Sequence, residues 1–404
     1  MQNRVFTPDV PTFKPLLTAE GAPIQNRAGY ISDQVDEIAL RKGRAFADEI
    51  RDRFLSDFEK SERAVALGKA EAVDKMAHVS TFVVDGNMIY VTYYANTKEP
   101  SEDPLNQTAR LVYAPIDNPD DRVYLDLLAA GDEIDGRHVD MVYDTILMRR
   151  DERTLFVLWT ARVEGNYYRL YCPFDMPTKT LGEIGVNRFR VGEVTNDFSA
   201  SGIRGAMKAN QLPIKRMFSD IGIMQKLSWR EENGEKWYYS GTYSGDFTAI
   251  IKSRDLITWE YVSQPDFLND SKWENATYVW GDKVFYFVRQ QDTNKCGFLT
   301  AYNLTTGTWD DPVEVEDCQS RGDFIAYDGE LYLFHAPIDR EHIGILHIDR
   351  ENLVGTRVLL QAHMHTSCFY PFVDHFTGGS LAMSYTIDRK HIRIGAFDMA
   401  HYVK

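Results

Sequence analysis

The sequence predicts an all-β fold, a β-propeller of about six (five to seven) four-stranded blades with an N-terminal helical appendage. Short apolar runs rich in aromatic and β-branched residues alternate with hairpin signals such as Asp85-Gly86 and Asp328-Gly329. The same succession of a polar opening, a strand, a turn and two further strands recurs at intervals of about 50 to 75 residues, as in radially repeated propellers. An all-β sandwich or two packed sheets is the alternative.

The repeat begins near residue 78 and continues to the end of the chain. The copies open at His78, Tyr143, Ser219, Glu274, Arg321 and Phe369. The second copy carries long connections at 118–138 and 177–217, and long loops in a compact domain are usually functional or disordered. We expect part of 196–216 to lie over the mouth of the ring.

The N-terminal region differs from the repeats. Residues 1–34 are irregular, and Val5-Phe6 and Phe13 are candidates for the outer strand that closes the ring. From 35 to 76 apolar residues such as Phe46, Phe54 and Phe58 recur at helical spacing. We therefore expect a helical extension over 1–76 that packs outside a catalytic propeller over 77–404, with homo-oligomerisation through these helices as an option.

Bulk properties limit the partners and the compartment. The net charge of −15 argues against nucleic acid or an anionic membrane as partner. No apolar run is long enough to span a membrane, and the N-terminus lacks the pattern of a secretory signal. Four cysteines without Cys-x-x-Cys spacing are typical of a reduced, cytoplasmic protein.

One local motif is more specific. Residues 253–260 have the pattern Ser-x-Asp-Leu-x-x-Trp-Glu, and 303–309 form a looser copy that ends at Trp309. This pattern resembles that of the carbohydrate-active β-propellers, which include sialidase-like proteins, arabinanase-, xylosidase- and fructosidase-type glycosidases and propeller polysaccharide lyases. The glycine of the sialidase Asp-box and the Arg-Ile-Pro and Asn-Asp-Pro signatures are absent, so the resemblance reaches the superfamily and no single family.

In a propeller, equivalent positions of each repeat lie at the same end of the central channel, so the repeat predicts which residues form a site there. The innermost strand of each blade begins at one mouth of the channel, and the loop after the second strand returns to that mouth. The strand openings supply His78, Asp144, Asp220, Glu274, Arg321 and Tyr370. The loops supply Asn96, Arg162, Tyr243, Arg289, His335, Tyr385 and Asp388.

Glycoside hydrolysis needs a carboxylic acid and a carboxylate. The resemblance implies that Glu274 is the general acid and that Asp144 or Asp220 is the base or nucleophile. The first blade of the resembling glycosidases carries an Asp at the position where this chain has His78, which departs from their pattern. The alternative for Asp144 and Asp220 is a structural role in capping turns.

A second constellation points to different chemistry. His78 and Tyr370 as proton-transfer groups, with Arg321 on a carboxylate, match what the resemblance to the propeller lyases implies for β-elimination from a uronate. His78, His335 and His365 are also candidate ligands of a divalent metal, although no cofactor is predicted.

The favoured function is hydrolysis of a small oligosaccharide or glycoside, and the first alternative is a uronate lyase. The predicted substrate-binding residues are Arg321, Arg289, His335, Tyr243, Arg162, His365 and Tyr385. Tyr243, Tyr370, Tyr385 and Trp273 are candidates for stacking on sugar rings. A non-catalytic sugar-binding propeller is the third interpretation.

Overall fold

The structure is a computed structural model. It describes residues 74–119, 121–217, 221–265, 274–289, 297–315, 320–336, 340, 342–351, 353, 355–363, 369–389 and 391–403, with the N-terminal pieces 14–15, 17–18, 46 and 54–57.

The described strands form six mainly antiparallel sheets, which we number I to VI in chain order; sheets III, IV and V each also contain one parallel pair. Sheet I contains Met76–Asp85, Met88–Asn96, Gln107–Pro115 and Val123–Ala129. Sheet II contains Glu133–Ile134, Arg137–Arg149, Thr154–Val163, Asn166–Asp175, Thr180–Leu181 and Gly185–Val186. Sheet III contains Arg188–Val191, Val194–Asp197, Gly222–Ile223, Ser228–Glu232, Glu235–Ser244, Phe247–Ser253 and Thr258–Ser263.

The second half of the chain repeats the arrangement. Sheet IV contains Asn275–Trp280, Lys283–Arg289, Gly297–Asn303, Thr308–Trp309 and Val313–Val315. Sheet V contains Asp323–Tyr327, Glu330–His335, His342–Ile348 and Gly355–His363. Sheet VI contains Phe369–His375, Leu381–Ile387 and His391–Phe397.

The sheets form a closed ring. Each sheet touches the next at the inner strand of that next sheet, and the inner strand of sheet VI returns to that of sheet I. A cluster of buried apolar side chains fills every one of these sheet-to-sheet interfaces, because the inward and outward faces of a strand alternate and both are covered. The β-propeller prediction is therefore confirmed, with a sheet number inside the predicted range.

The N-terminal region adds outer strands to three sheets. Lys14–Pro15 pairs with sheet IV, Leu17–Thr18 with sheet V and Phe54–Asp57 with sheet VI. The last sheet is thus completed by an early segment of the chain, as ring closure requires, but by 54–57, whereas Val5-Phe6 and Phe13 lie outside the described residues. The helical prediction is wrong for 54–57, because pairing with the free edge of sheet VI overrides local helical periodicity.

Phe46 supports the expectation that helical N-terminal residues pack against the outside of the ring. It is helical and fully buried. Its ring makes edge contacts with Phe397 of sheet VI, at 4.9 Å, and with Tyr402, at 5.2 Å between centroids. Tyr402 belongs to the short C-terminal helix Ala400–Val403. The boundary between 76 and 77 stays a prediction.

The Ser-x-Asp-Leu motif caps a turn, and its Trp packs between two sheets. Ser253 Oγ accepts the backbone N–H of Leu256 at 2.9 Å, and Asp255 accepts those of Ile257 and Thr258 at 2.8 Å. Trp259 is fully buried in the cluster between sheets II and III. In the looser copy, Trp309 donates its indole N–H to Ser263 across the next interface, at 2.9 Å.

The helix Ala200–Ala209 lies in the long insertion of the second repeat, and Ser199 caps it by accepting the N–H of Gly202. Its buried face joins the cluster between sheets II and III. Its N-terminal half, including Ala200 and Arg204, lines a pocket of about 220 Å³ together with Gly165 and Asn166, on the mouth side of sheet II. Two 3₁₀ turns, Pro104–Asn106 and Thr377–Gly379, complete the described helical elements. Within the described part of the chain, no helix is long and apolar enough to cross a membrane.

Candidate active site

The strand directions bring most of the predicted site residues to one end of the channel. Glu274, Arg321 and Tyr370 stand at the starts of inner strands or just before them, and Asp144 lies within the longer inner strand Arg137–Arg149 of sheet II. Tyr243 and Arg289 stand at the ends of second strands, which run back to the same end. We call this end the mouth.

Arg321 is the centre of the mouth. One of its terminal nitrogens donates to Asp144 Oδ1 at 2.8 Å and to Glu274 Oε1 at 3.1 Å. Arg289 pairs with the second oxygen of Glu274, and Tyr243 donates its hydroxyl to Asp144 Oδ2 at 3.2 Å. All of these side chains are less than a tenth exposed. Five side chains from four sheets therefore form one enclosed polar network, in which electrostatic interactions are weakly screened.

The two carboxylates lie close together. Asp144 Oδ1 and Glu274 Oε1 are 2.8 and 3.1 Å from the same nitrogen, so their separation cannot exceed the total of those distances. Retaining glycosidases place their carboxyl groups about 5 to 5.5 Å apart and inverting ones about 6.5 to 9.5 Å apart. The distance between these two oxygens is therefore below the inverting range.

Tyr370 joins the same network. Its hydroxyl lies 3.4 Å from Arg289 Nη1, and the guanidinium carbon of Arg321 lies 4.9 Å from the centre of its ring. Two cations therefore approach this phenol, one at the oxygen and one at the ring face.

Backbone bulges aim two of these side chains into the channel. The inner strands of sheets I and VI each carry one extra residue near their start, and the longer inner strand of sheet II carries one in its middle; the first residue of each bulge has positive φ. These residues are Val79 (φ 53°), Asp144 (φ 55°) and Tyr370 (φ 54°). Positive φ is strained for a non-glycine residue and such strain concentrates at functional sites.

The bulges also correct the alignment of the repeats. His78 was placed beside Asp144 and Tyr370, whereas it stands one residue before the bulge, equivalent to Tyr143 and Phe369. The extra residue in each bulge is invisible to hydrophobic periodicity, which explains the displacement by one.

Arg169 also belongs to the network, although the sequence analysis does not predict it. It is fully buried and donates to the backbone oxygen of Asp144 at 2.7 Å and to Thr160 Oγ1 at 2.9 Å, with Asp144 Oδ2 at 3.5 Å. Burial alone would raise the pKa of Asp144, but the charges of Arg321 and Arg169 outweigh it and hold that pKa below its usual range. Arg169 lies in the third strand of its sheet, where no motif marks it.

His78 sits beside this network in an aromatic cage. Its ring is 5.0 Å from that of Tyr370, 5.6 Å from Tyr94 and 6.0 Å from Phe369. It is 1 % exposed, and neither ring nitrogen has a hydrogen-bond partner among the described residues. Burial lowers the pKa of His78 to about 3, so the imidazole is neutral at neutral pH.

Further charged groups that the repeat did not predict surround the cage. Arg340 and Arg389 each place a guanidinium 5.1 Å from the centre of the Phe369 ring. Glu102 pairs with Arg389 and accepts the hydroxyl of Tyr94 at 2.7 Å. Both arginines lie in loops with irregular backbone, outside the strand positions that the repeat marks.

Other predicted site residues lie elsewhere. Tyr385 is fully buried in the apolar cluster between sheets V and VI, so it is a core residue where substrate stacking was expected. Arg162 pairs with Asp140 at 3.0 Å, apart from the central network. His335 is buried with its ring against Gly344.

Asn96 caps its own loop by accepting the backbone N–H of Lys98 at 2.9 Å, and Asp388 is exposed in a turn. Asp220, Trp273 and His365 lie outside the described residues. Among the residues that are described, no group of three or more metal-binding side chains occurs.

Comparison with known proteins finds similar structures but no similar sequences. No protein-family model matches the chain, and no curated protein matches it in sequence. The structure is similar to the NanB sialidase of Streptococcus pneumoniae, with a TM-score of 0.51 and 8 % identity over 85 % of this chain and 73 % of that one. It is also similar to the leech intramolecular trans-sialidase, with a TM-score of 0.53 and 9 % identity over 82 % of this chain and 69 % of that one. These similarities show a shared propeller fold.

Proposed function

We propose that the protein is a glycoside hydrolase that acts on a sugar bearing a carboxylate. The observation that carries the proposal is the network in which Arg321 bridges Asp144 and Glu274 at the mouth. It brings two carboxylates within catalytic distance of each other beside a group that can bind an anion. The sialidase-type fold supports the class of enzyme by analogy.

The charge distribution supports an acidic substrate. The chain carries a net charge of −15, yet arginines gather at the mouth: Arg289, Arg321, Arg340 and Arg389. An arginine fork matches the geometry of a carboxylate and binds it in bidentate fashion. The arginines at the mouth attract an anionic group on a small ligand, whereas the acidic remainder of the protein repels large polyanions.

Substrate binding would also create the general acid. Two guanidinium groups contact Glu274, and such contacts favour the charged carboxylate, which cannot donate a proton. A substrate carboxylate that binds Arg289 and Arg321 competes for the same donors. Glu274 then loses charge compensation inside an enclosed site and gains proton affinity, as a general acid requires.

The remaining steps follow from the carboxylate separation. Asp144, held charged by Arg321 and Arg169, attacks the anomeric carbon while Glu274 gives its proton to the leaving oxygen. Water then attacks the anomeric carbon of the glycosyl–Asp144 ester, Glu274 takes the proton of that water, and the Asp144 carboxylate leaves. Two displacements predict retention of the anomeric configuration. Asp220 is the alternative base that the sequence predicts.

The test is a panel of aryl glycosides whose sugars differ only in the presence of a carboxylate, such as a glucuronide against a glucoside, with a sialoside added. We expect release of the aryl group from an acidic member and none from its neutral counterpart, and proton NMR of the first product should show retention. Glu274→Gln should abolish release, whereas the matched Glu235→Gln, at an exposed ion pair with Arg254, should not. Hydrolysis of neutral glycosides alone would contradict the acidic substrate.

A uronate lyase is the second candidate, and one observation favours it. His78 is neutral, and its ring lies 5.0 Å from that of Tyr370, so a base and a phenol stand side by side near Arg321. Elimination forms an unsaturated uronate that absorbs in the ultraviolet, whereas hydrolysis releases reducing sugar without that absorbance. His78→Ala should abolish elimination and Glu274→Gln should spare it. If neither product forms, a non-catalytic sugar-binding role is favoured.

A further inference from the structure

The opposite end of the channel holds a second cavity, of about 620 Å³. Residues from all of the sheets line it, at the ends of the inner strands and in the turns that follow them. Its volume is within the range of about 300 to 1,000 Å³ that small-molecule sites occupy.

Two extra residues in sheet III separate this cavity from the mouth. Ile223 pairs with Thr242, and an unbroken ladder would then pair Lys226 with Tyr239. Instead Ser228 pairs with Tyr239, so the inner strand contains two more residues than its partner. The surplus bulges into the channel as Gln225 and Lys226, which we call the plug.

Both side chains of the plug are anchored across the channel. Gln225 donates to the backbone oxygen of Pro371 at 3.0 Å and accepts from Arg321 at 3.4 Å. Lys226 donates to the backbone oxygen of Val373 at 2.6 Å and pairs with Asp323 at 3.1 Å. The plug is therefore the floor of the mouth and the roof of the second cavity, and a ligand in one cannot reach the other through the channel.

The lining of the cavity matches a carbohydrate. Trp229 is 55 % exposed at its rim, and the Lys236 ammonium lies 4.5 Å from the centre of the indole ring. Phe372 and Tyr278 supply further apolar surface inside, and Asp374 is a hydrogen-bond acceptor among them. An aromatic face for the C–H side of a sugar, beside donors and acceptors for its hydroxyls, is the combination that a pyranose needs.

The charges favour a neutral ligand. The deepest cation, Lys226, is compensated by Asp323, and Arg149 is compensated by Asp85 at 2.8 Å. Neither an anion nor a cation is selected, because the remaining charged residues of the lining include both signs. They are Arg150 and Lys236 with Asp151, Glu152 and Asp374. We propose that this cavity is a second, separate binding site for a neutral mono- or disaccharide, independent of the acidic-sugar site at the mouth.

The test is isothermal titration calorimetry of the full chain with D-glucose, D-galactose, D-mannose, N-acetyl-D-glucosamine and their β-linked disaccharides. At least one sugar should bind, and Trp229→Ala and Lys236→Ala should each weaken that binding at least tenfold. Arg254→Ala is the matched control, because Arg254 makes the same kind of contact on Trp237, 5.0 Å from its ring, outside the cavity. Trp229 is half exposed, so its replacement leaves the folded core intact.

Each outcome decides the proposal. The mouth variant Arg289→Lys, whose side chain contacts Glu274 and Tyr370 and not the plug, should leave this binding unchanged. Loss of binding in Arg289→Lys with retention in Trp229→Ala would place the sugar at the mouth and overturn the proposal. Absence of heat for every sugar up to about 10 mM, beyond which affinity is negligible, would also overturn it. A dimer that dissociates on Trp229→Ala in sedimentation, with no sugar bound, would identify the surface as a contact between copies and would overturn it as well.

Discussion

His78→Phe tests whether the His78 imidazole is buried and neutral inside its aromatic cage. Phenylalanine keeps an aromatic ring against Tyr94, Phe369 and Tyr370 but has no titratable group. His78 is 1 % exposed, and burial lowers its pKa from 6.5 to about 3. The folded protein therefore keeps this imidazole neutral under conditions where the unfolded chain binds a proton.

The sign and size of the effect follow from linkage. Because the unfolded state binds the proton first, the stabilisation that depends on a neutral His78 is fully present above pH 6.5 and is lost as the pH falls towards 3. Each pH unit in that window corresponds to about 1.4 kcal/mol, so the wild type should lose about 2 kcal/mol at pH 5 relative to the variant.

The assay is urea unfolding of both proteins at pH 7, 6 and 5. Subtracting the two curves of unfolding free energy against pH removes the other titrating groups, which both proteins share. The difference should change by about 2 kcal/mol in favour of His78→Phe between pH 7 and pH 5. Parallel curves would mean that His78 is protonated or solvated in the folded protein, and the cage as described would be refuted.

Three further predictions concern buried charged residues. Arg321→Met leaves two buried carboxylates without their shared cation and should lower the unfolding free energy by about 3 to 5 kcal/mol in denaturant titration; a loss below 1 would contradict the network. Burial raises the pKa of Asp323 from 3.8 to about 7, so its contribution to stability falls as the pH rises through that window. Asp323→Asn should remove this slope of about 1.4 kcal/mol per pH unit in melting curves at pH 5 and 7, and an unchanged slope would show that Lys226 compensates the charge fully. Arg169→Lys cannot make all the bonds that hold Asp144, so kcat of the proposed hydrolysis should fall at least tenfold with KM little changed; an unaltered kcat would show that Arg169 does not position Asp144.

Local chemistry made the scaffold predictable. Asn233-Gly234 and Asp328-Gly329 mark hairpins because both residues of each pair adopt positive φ, which these residue types tolerate. Trp259 and Trp309 mark sheet interfaces because a large apolar ring next to a tight turn has to be buried. Each signal depends only on neighbouring residues in the chain.

The site was predictable only in part, because its contacts depend on pairing across the ring. Glu274 and Arg321 could be placed from their positions in the repeat, but their shared hydrogen bond depends on the register of two different sheets. No sequence motif marks Arg169 or Gln225. Tyr385 points into the core between two sheets, because a shift of one residue along a strand moves a side chain from one face of the sheet to the other.

The bulges in three of the six sheets make the mouth of this repetitive fold asymmetric. One-residue bulges present Asp144 and Tyr370 to the channel at equivalent places in sheets II and VI, and sheet I carries Val79 at the corresponding place. A β-branched residue gains nothing from positive φ, at which strain is about 1 to 3 kcal/mol. Its N–H donates to Thr386 of sheet VI at 3.2 Å, across the seam where the ring closes. The bulge therefore occurs at this place in the sheet even where the side chain is apolar, as at Val79. The chemistry of the mouth depends on which residue stands at the first position of each bulge.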